Sequence, residues 1–224
     1  ALSATNGTFT GDVGIGTASP SQKLHVAGNV YNTGFVNSAG SGTAGGYQFA
    51  DGNAMIYRAT NDLAIKLQGT ETLRINSTGA VTKPLQPAFL AIAGTEQSNI
   101  AVGSGVAVVF GTETFDQNAD FTSNTFTAPV TGKYQFNVSV NLRNVDSAAS
   151  YYRVALTTSN TTYYDIFDPD FGQDAGYWTM RVCVLADMDA SDTAAINILQ
   201  GSGTAQTDIS GNAVYTFFSG YLVA

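Results

Sequence analysis

The sequence is poor in charge, in cysteine and in histidine. Charged residues make up 12% of its 224 positions, about half of the roughly 25% of an average soluble domain. A single cysteine, Cys183, excludes an intrachain disulfide. Its expected role is that of a small buried apolar side chain. A single histidine, His25, excludes the two-histidine H-E-x-x-H zinc motif. No G-x-S-x-G turn presents a serine to it, so a packed or half-exposed strand residue is expected there. Gly14-Ile15-Gly16 lacks the third glycine of a dinucleotide site, and no Walker sequence occurs. No apolar run, Val106 to Phe110 among them, approaches the ~18 residues of a membrane span. A sequence pI near 4.3 argues against nucleic-acid binding. No signal peptide is visible, and a chain beginning at Ala1 rather than Met is expected to be a fragment or a processed product.

What is present is apolar and patterned. Hydrophobic residues make up 44% of the chain, enough for a sizeable core, and aromatic residues 11%, too many for a disordered chain. Charge divides unevenly. Residues 1–85 hold five basic and four acidic side chains, whereas residues 86–224 hold four basic and thirteen acidic. Such a shift points to two modules. The junction is Lys83-Pro84-Leu85-Gln86-Pro87, where two prolines block helix and central-strand continuation.

The periodicity is that of strands. Tyr134, Phe136, Val138, Val140 and Leu142 alternate with Lys133, Gln135, Asn137, Ser139 and Asn141, the pattern of a half-buried strand. Within Tyr177 to Ala190, Trp178, Met180, Val182, Val184 and Ala186 share one face. Thr179, Arg181, Cys183, Leu185 and Asp187 share the other. Asp192 to Gln200 and Ala213 to Val223 read as two further strands, separated by turn residues from Gly201 to Gly211. Along the last of these, Tyr215, Phe217, Ser219, Tyr221 and Val223 oppose Val214, Thr216, Phe218, Gly220 and Leu222. Both faces are mostly apolar, whereas a monomeric sandwich solvates one face of each sheet. The second apolar face predicts a subunit interface that includes Tyr215, Phe217, Phe218 and Tyr221.

Residues 1–83 differ in kind. Glycine is dense, at 7, 11, 14, 16, 28, 34, 40, 42, 45, 46, 52, 69 and 79. The apolar runs are short: Val13–Ile15, Leu24–Val26, Leu63 with Ile65 and Leu67, and Leu73 with Ile75. Short strands do not fold alone. Three chains wound about one axis would complete each other's core, so an intertwined trimeric shaft is expected over 1–83.

Two stretches carry a family resemblance. Val13-Gly14-Ile15-Gly16-Thr17, Ser19-Pro20, Lys23-Leu24, Val26 and Gly28-Asn29 closely resemble the VGIGT-x-SP-x-x-KLxVxGN repeat of bacteriophage tail fibres and related bacterial adhesins. Leu73-Arg74-Ile75 through Gly79-Ala80-Val81 resembles a piece that often accompanies it. The second resemblance spans Pro87 to Ala224. Pro87-Ala88-Phe89-Leu90-Ala91, Val108-Val109-Phe110, Phe126-Thr127-Ala128-Pro129 through Gly132-Lys133-Tyr134-Gln135-Phe136, and Thr216-Phe217-Phe218-Ser219-Gly220-Tyr221-Leu222-Val223 resemble the complement C-one-q globular head. That resemblance implies a ten-stranded jelly roll of the tumour necrosis factor type over 84–224, and a homotrimer. One segment departs from the pattern. The family often carries Leu-x-x-Gly-Asp-x-Val before its last long strand, and Ala186 to Ala194 stands there without the glycine.

Binding chemistry is expected where acids and aromatics meet. Asp165, Asp168, Asp170 and Asp174 lie among Tyr163, Tyr164, Phe171, Tyr177 and Trp178. A solvated loop is the simplest reading of the acids. Asp168, Asp170 and Asp174 are also spaced as calcium ligands, although no Gly at loop position six and no Glu at position twelve makes this an EF-hand. A glycosidase pair would need two carboxylates about 5–10 Å apart. Sugar recognition uses an aromatic face for the ring and carboxylates or amides for hydroxyls. Tyr163, Tyr164, Asp165, Asp168, Asp170, Asp174 and Tyr177 are therefore the expected receptor-binding residues, with core packing favoured for Phe171 and Trp178. Asp187, Asp189 and Asp192 form a second acidic loop, of a kind common in turns.

The resemblance and the residues together imply a non-enzymatic protein of the virion, at a tail-fibre tip. It would attach as a homotrimer to host-surface glycan or protein and join upstream fibre or tail proteins. Membrane insertion and a cofactor other than calcium are not expected. A polysaccharide depolymerase and a trimerisation cap without binding activity are the alternatives.

Overall fold

The computed structural model describes residues 11–19, 22, 24–30, 46–49 and 53–224. Pro20, Ser21 and Lys23 of the first motif, and glycines 7, 34, 40, 42, 45 and 52, lie outside the described residues. All regular structure among those described is β.

β1 (Val13–Ile15) and β2 (Leu24–Val26) form a short parallel pair. β3 (Gly46–Phe49), β4 (Ala54–Ala59), β5 (Asp62–Leu67), β6 (Thr70–Ile75) and β7 (Val81–Thr82) form an antiparallel meander in sequence order. The β5–β6 hairpin turns on Gln68 and Gly69, both at positive φ (51° and 77°). That geometry matches the right-handed twist of the strands it joins.

The meander's two faces differ sharply. A bulge sets Ile65 opposite Leu73 but Lys66 opposite Glu71, leaving Thr72 over. Glu71 and Arg74, three residues apart, thereby reach the same face. Arg74 pairs there with Glu71 and, at 2.7 Å, with Asp62. Tyr57 Oη donates to Glu71 at 3.3 Å. The opposite face carries the rows Tyr47–Ile56–Ile65–Leu73 and Arg58–Leu63–Ile75–Val81, apolar apart from Arg58 at its border. On it Tyr47, Ile56, Leu63, Leu67, Ile75 and Val81 are all exposed. Within one chain β4, β5 and β6 are thus paired on both sides, while apolar side chains of the meander stay open.

The remaining strands build two packed sheets. Sheet one contains β8 (Ala88–Ile92), β10 (Thr112–Asp116), β13 (Gly132–Val145), β16 (Ala175–Met188), β18 (Asp208–Ile209) and β19 (Phe217–Leu222). Its order is β10-β8-β19-β13-β16, with β18 beside β13. Sheet two contains β9 (Val106–Ala107), β11 (Phe121–Thr122), β12 (Thr125–Thr127), β14 (Tyr152–Thr158), β15 (Thr162–Phe167) and β17 (Thr193–Gln200). Its order is β11-β12-β17-β14-β15, with β9 on β17. The chain crosses between sheets from β13 to β14, from β15 to β16 and from β16 to β17, so neighbours in sequence face each other across the core. This is the expected jelly-roll sandwich of two five-stranded paths.

β13 and β16 pair along their whole length, from Gly132 opposite Met188 to Val145 opposite Ala175. Tyr134, Phe136, Val138, Val140 and Leu142 point inward and are buried, as are Met180, Val182, Ala186 and Met188. Phenylalanines fill one end of the interior. Phe89 stacks on Phe121 at 4.8 Å and on Phe126 at 5.0 Å, and meets Phe218 edge-on at 4.9 Å. Gly220 lets the rings approach, because a Cβ there would stand 2.6 Å from the Phe136 ring and 2.7 Å from Phe89.

Three expectations are corrected. Phe218 is fully buried in this interior, so it belongs to the core and not to an interface. The last strand begins at Phe217, not Ala213: the N–H groups of Tyr215 and Thr216 both donate to Asn212 O at 3.0 Å, which makes a turn. Cys183 is exposed on the outer face of sheet one, beside Asn137 and Gln135. In the segment without glycine, Ser191 itself takes the left-handed conformation (φ 76°), and its N–H donates to Ala128 O at 2.7 Å.

Candidate functional site

The expected receptor-binding residues are split by strand alternation. Tyr163, Tyr164 and Asp165 lie on β15, at the edge of sheet two, and not in a loop. Tyr163 and Phe167 pack inward against the core. Tyr164 and Ile166 face outward and are exposed. Asp165 also turns inward, where Oδ2 accepts the N–H of Arg181 on β16 at 2.9 Å. It laces the edges of the two sheets together.

Beyond β15 an aromatic stack closes this side of the sandwich. Phe167 lies between Tyr152 (5.2 Å) and Trp178 (4.7 Å), and Phe171 covers both Phe167 (6.1 Å) and Trp178 (5.2 Å). Phe171 and Trp178 stack on neighbouring rings but, at 40% and 39% exposed, lie outside the core, which corrects the core packing expected for them. They therefore form a shelf. Beside it is a shallow depression of about 430 Å³ lined by Phe171, Gly172, Gln173, Asp174, Tyr177 and Trp178.

The acids around the shelf do not converge. Asp174 Oδ1 accepts the N–H (2.9 Å) and the hydroxyl (2.7 Å) of Ser147 and so anchors the loop. Asp168 and Asp170 are exposed. Among the described residues, no three His, Cys, Asp or Glu side chains stand together as a metal site. Asp168, Asp170 and Asp174 form no such group. Asp189 and Asp192 are turn residues, with Asp192 accepting the Asp189 N–H at 2.8 Å, and Asp187 pairs with Lys133.

Tyr177 leaves the shelf for the outer face of sheet one. The Arg143 guanidinium lies over its ring at 5.8 Å, and Arg143 pairs with Glu96 at 2.6 Å. These three border a pocket of about 710 Å³ whose lining also includes Asn141, Thr179 and Tyr215. Nothing in the sequence announces this pocket, because its segments meet only through the strand order. The rest of that outer face is apolar under β8, β10 and β19. Rows there run Phe115–Leu90–Ser219 and Ile92–Phe217. Phe115, Tyr215 and Tyr221 are exposed and Phe217 half-buried. Under β13 and β16 the face turns polar, with Asn137, Ser139 and Arg181.

Two carboxyls are strongly shaped by the fold. Asp146 is buried, which opposes ionisation, but N–H groups of Ala205 (2.7 Å), Ala148 (2.9 Å) and Thr204 (2.5 Å) outweigh that and hold its pKa below the ordinary value. It fastens the 146–150 turn to the 203–205 loop. Asp120 is pushed up, first by burial and then by the Asp116 charge. Both Asp116 oxygens accept backbone N–H groups, from Asp120 (3.1 Å) and Phe121 (2.9 Å). This close pair is a turn device.

No family model matches the chain, and no curated protein does. Solved structures do resemble it. The globular domain of zebrafish complement 1qA protein is 19% identical, over 62% of this chain and 98% of that one, with a TM-score of 0.45. Murine APRIL, crystallised at pH 8.0, is 11% identical, over 62% of this chain and 99% of its own, with a TM-score of 0.47. The jelly-roll assignment rests on the order of the two sheets given above.

Proposed function

We propose that the chain is the distal part of a trimeric attachment fibre of the bacteriophage tail type, with the sandwich as a receptor-binding tip for host-surface glycan. The observation that carries this is the apolar face left open on each of two separate sheets of one chain. The meander presents Tyr47, Ile56, Leu63, Leu67, Ile75 and Val81, and sheet one presents Phe115, Tyr215, Phe217 and Tyr221. Exposed apolar patches larger than a few hundred Å² mark interaction surfaces. Identical chains can bury such faces against one another about a closed symmetry axis, and the tail-fibre and C-one-q resemblances of the sequence favour three.

The shelf of Phe171 and Trp178 offers two apolar ring faces with Gln173, Asp168 and Asp170 nearby, the mixture that saccharides engage. Three such shelves on one particle would raise avidity without any new contact. Light scattering at micromolar concentration is expected to give three times the 23.3 kDa chain, and a monomer overturns the assembly. Fluorescently labelled protein should bind host cells, and the combined variant Asp168→Asn, Asp170→Asn and Phe171→Ala should lose that binding while keeping the trimer. Adhesion unchanged in that variant removes the shelf. Reducing sugar released from host polysaccharide would favour a depolymerase. Deleting residues 86–224 tests the cap reading, which is favoured if the remaining chain no longer trimerises and the isolated sandwich binds no cell.

A further inference from the structure

The acidic half of the chain, residues 86–224, carries four basic side chains. Lys133 pairs with Asp187 and Arg143 with Glu96. Arg153 is held differently. It stands on β14 at the outer face of sheet two, between Leu199 of β17 and Ile166 of β15. Its guanidinium lies over the Tyr164 ring, 4.8 Å from the centroid. Nε is sealed against the sheet without a hydrogen-bond partner, and no carboxylate of the described residues pairs with the group.

The outward faces of β14, β15 and β17 carry no opposing charge. The other outward residues of these strands are Ala155, Thr157, Thr162, Ile166, Thr193, Ala195, Asn197 and Leu199. None is acidic, because Asp165 on the same strand turns inward to Arg181. Tyr164 is 55% and Ile166 58% exposed. An arginine fixed on an aromatic ring, with its terminal N–H groups free and an apolar floor around it, is a preformed anion receptor. Stacking has already restricted the side chain, so a ligand loses less freedom by binding it.

We propose that Arg153 and Tyr164 bind the carboxylate of an acidic sugar, a uronic or sialic acid unit of a surface polysaccharide. The proposal rests on the attachment reading above and adds the class of glycan. The carboxylate meets the two Nη groups as a planar fork, the geometry guanidinium shares with carboxylates. The apolar side of the sugar ring lies on Ile166 and Tyr164, and Asn197 offers an amide to hydroxyls. One arginine neutralises one carboxylate, whereas a phosphate monoester would keep an uncompensated charge over the apolar floor.

The test uses the whole chain against immobilised oligosaccharides of galacturonate, glucuronate and N-acetylneuraminate, their methyl esters, and phosphorylated hexose oligomers. At least one carboxylated probe is expected to bind, more weakly at high salt, and its ester not to bind. Arg153→Gln and Arg153→Met should each weaken binding on the order of tenfold or more with an unchanged melting temperature. Methionine keeps most of the stem's packing and removes the charge and the donors. The proposal is overturned if no carboxylated probe binds, if esters or phosphorylated probes bind equally or better, or if either variant binds as the parent does. Host-cell adhesion separates the two levels. Adhesion by the parent that Arg153→Met leaves unchanged overturns the acidic-sugar site alone, whereas a parent that does not adhere overturns the attachment function.

Discussion

Replacing Leu63 and Ile75 by glutamate should dissociate the assembly without unfolding the chain. The two residues are directly opposite on β5 and β6 and are 46% and 37% exposed. In an isolated chain, two like charges opposite each other cost about 0.2–1 kcal/mol. In a trimer that buries this face the loss is much larger. The pair presents roughly 150 Å² of apolar surface, which at about 25 cal/mol per Å² corresponds to about 4 kcal/mol per chain, or ~11 kcal/mol for three. Placing carboxylates in that contact adds their desolvation. The difference should convert a micromolar trimer into monomers that keep their β-sheet circular dichroism. Thr82→Glu is the control, since Thr82 pairs with Arg74 on the ion-paired face and should leave the trimer intact. Light scattering over a dilution series reads both. If the double variant dissociates no more readily than the parent, or if the control dissociates equally, the meander's open face is not an interface.

Phe218→Ala should lower stability by about 3–5 kcal/mol, because the ring contacts Phe89, Phe110, Phe121 and Phe136; a melting point within a few degrees of the parent would contradict its core position. Gly220→Ala should cost on the order of 1–3 kcal/mol by overpacking, since its methyl would press on Phe136 and Phe89, and denaturant titration measures it. Asp146, held below its ordinary pKa, stabilises the fold fully above the usual carboxylate range, and that contribution is lost as pH falls through the depressed value. Asp146→Asn should therefore be less stable than the parent at neutral pH, with the gap closing on acidification; a gap independent of pH would refute the linkage.

The long central strands were legible because their period-two pattern is unbroken. Residues Tyr134 to Leu142 bury the face the alternation assigns. The same rule placed Cys183 with Arg181 and Leu185, on the face the structure leaves exposed. The expectation of burial came from residue type, and pattern prevailed over type. Val214 and Tyr215 continue the apolar alternation of the last strand, yet Asn212 takes them into a turn. Its Oδ1 accepts the Val214 N–H at 3.0 Å, and an Asn two residues earlier was the available signal. The binding region was grouped by composition, as acids near aromatics. Alternation along β15 then sent Asp165 inward and Tyr164 outward. The sequence does not single out Arg153, because its partner Tyr164 is eleven positions away and meets it only across the β14–β15 ladder.

The inward turn of Asp165 also bears on how the molecule avoids growing into filaments. Sheet one ends in β16, fourteen residues long, and an edge of that length is a template for strand addition. Asp165 occupies the Arg181 N–H midway along it, and the Phe167–Trp178 stack covers its start. The opposite border, β10, is broken by a register shift between Glu113 and Phe115. Both borders of sheet one are thus blunted against strand addition. What remains for contact are its sides, and contact through sides arranged about an axis terminates at a fixed number of subunits.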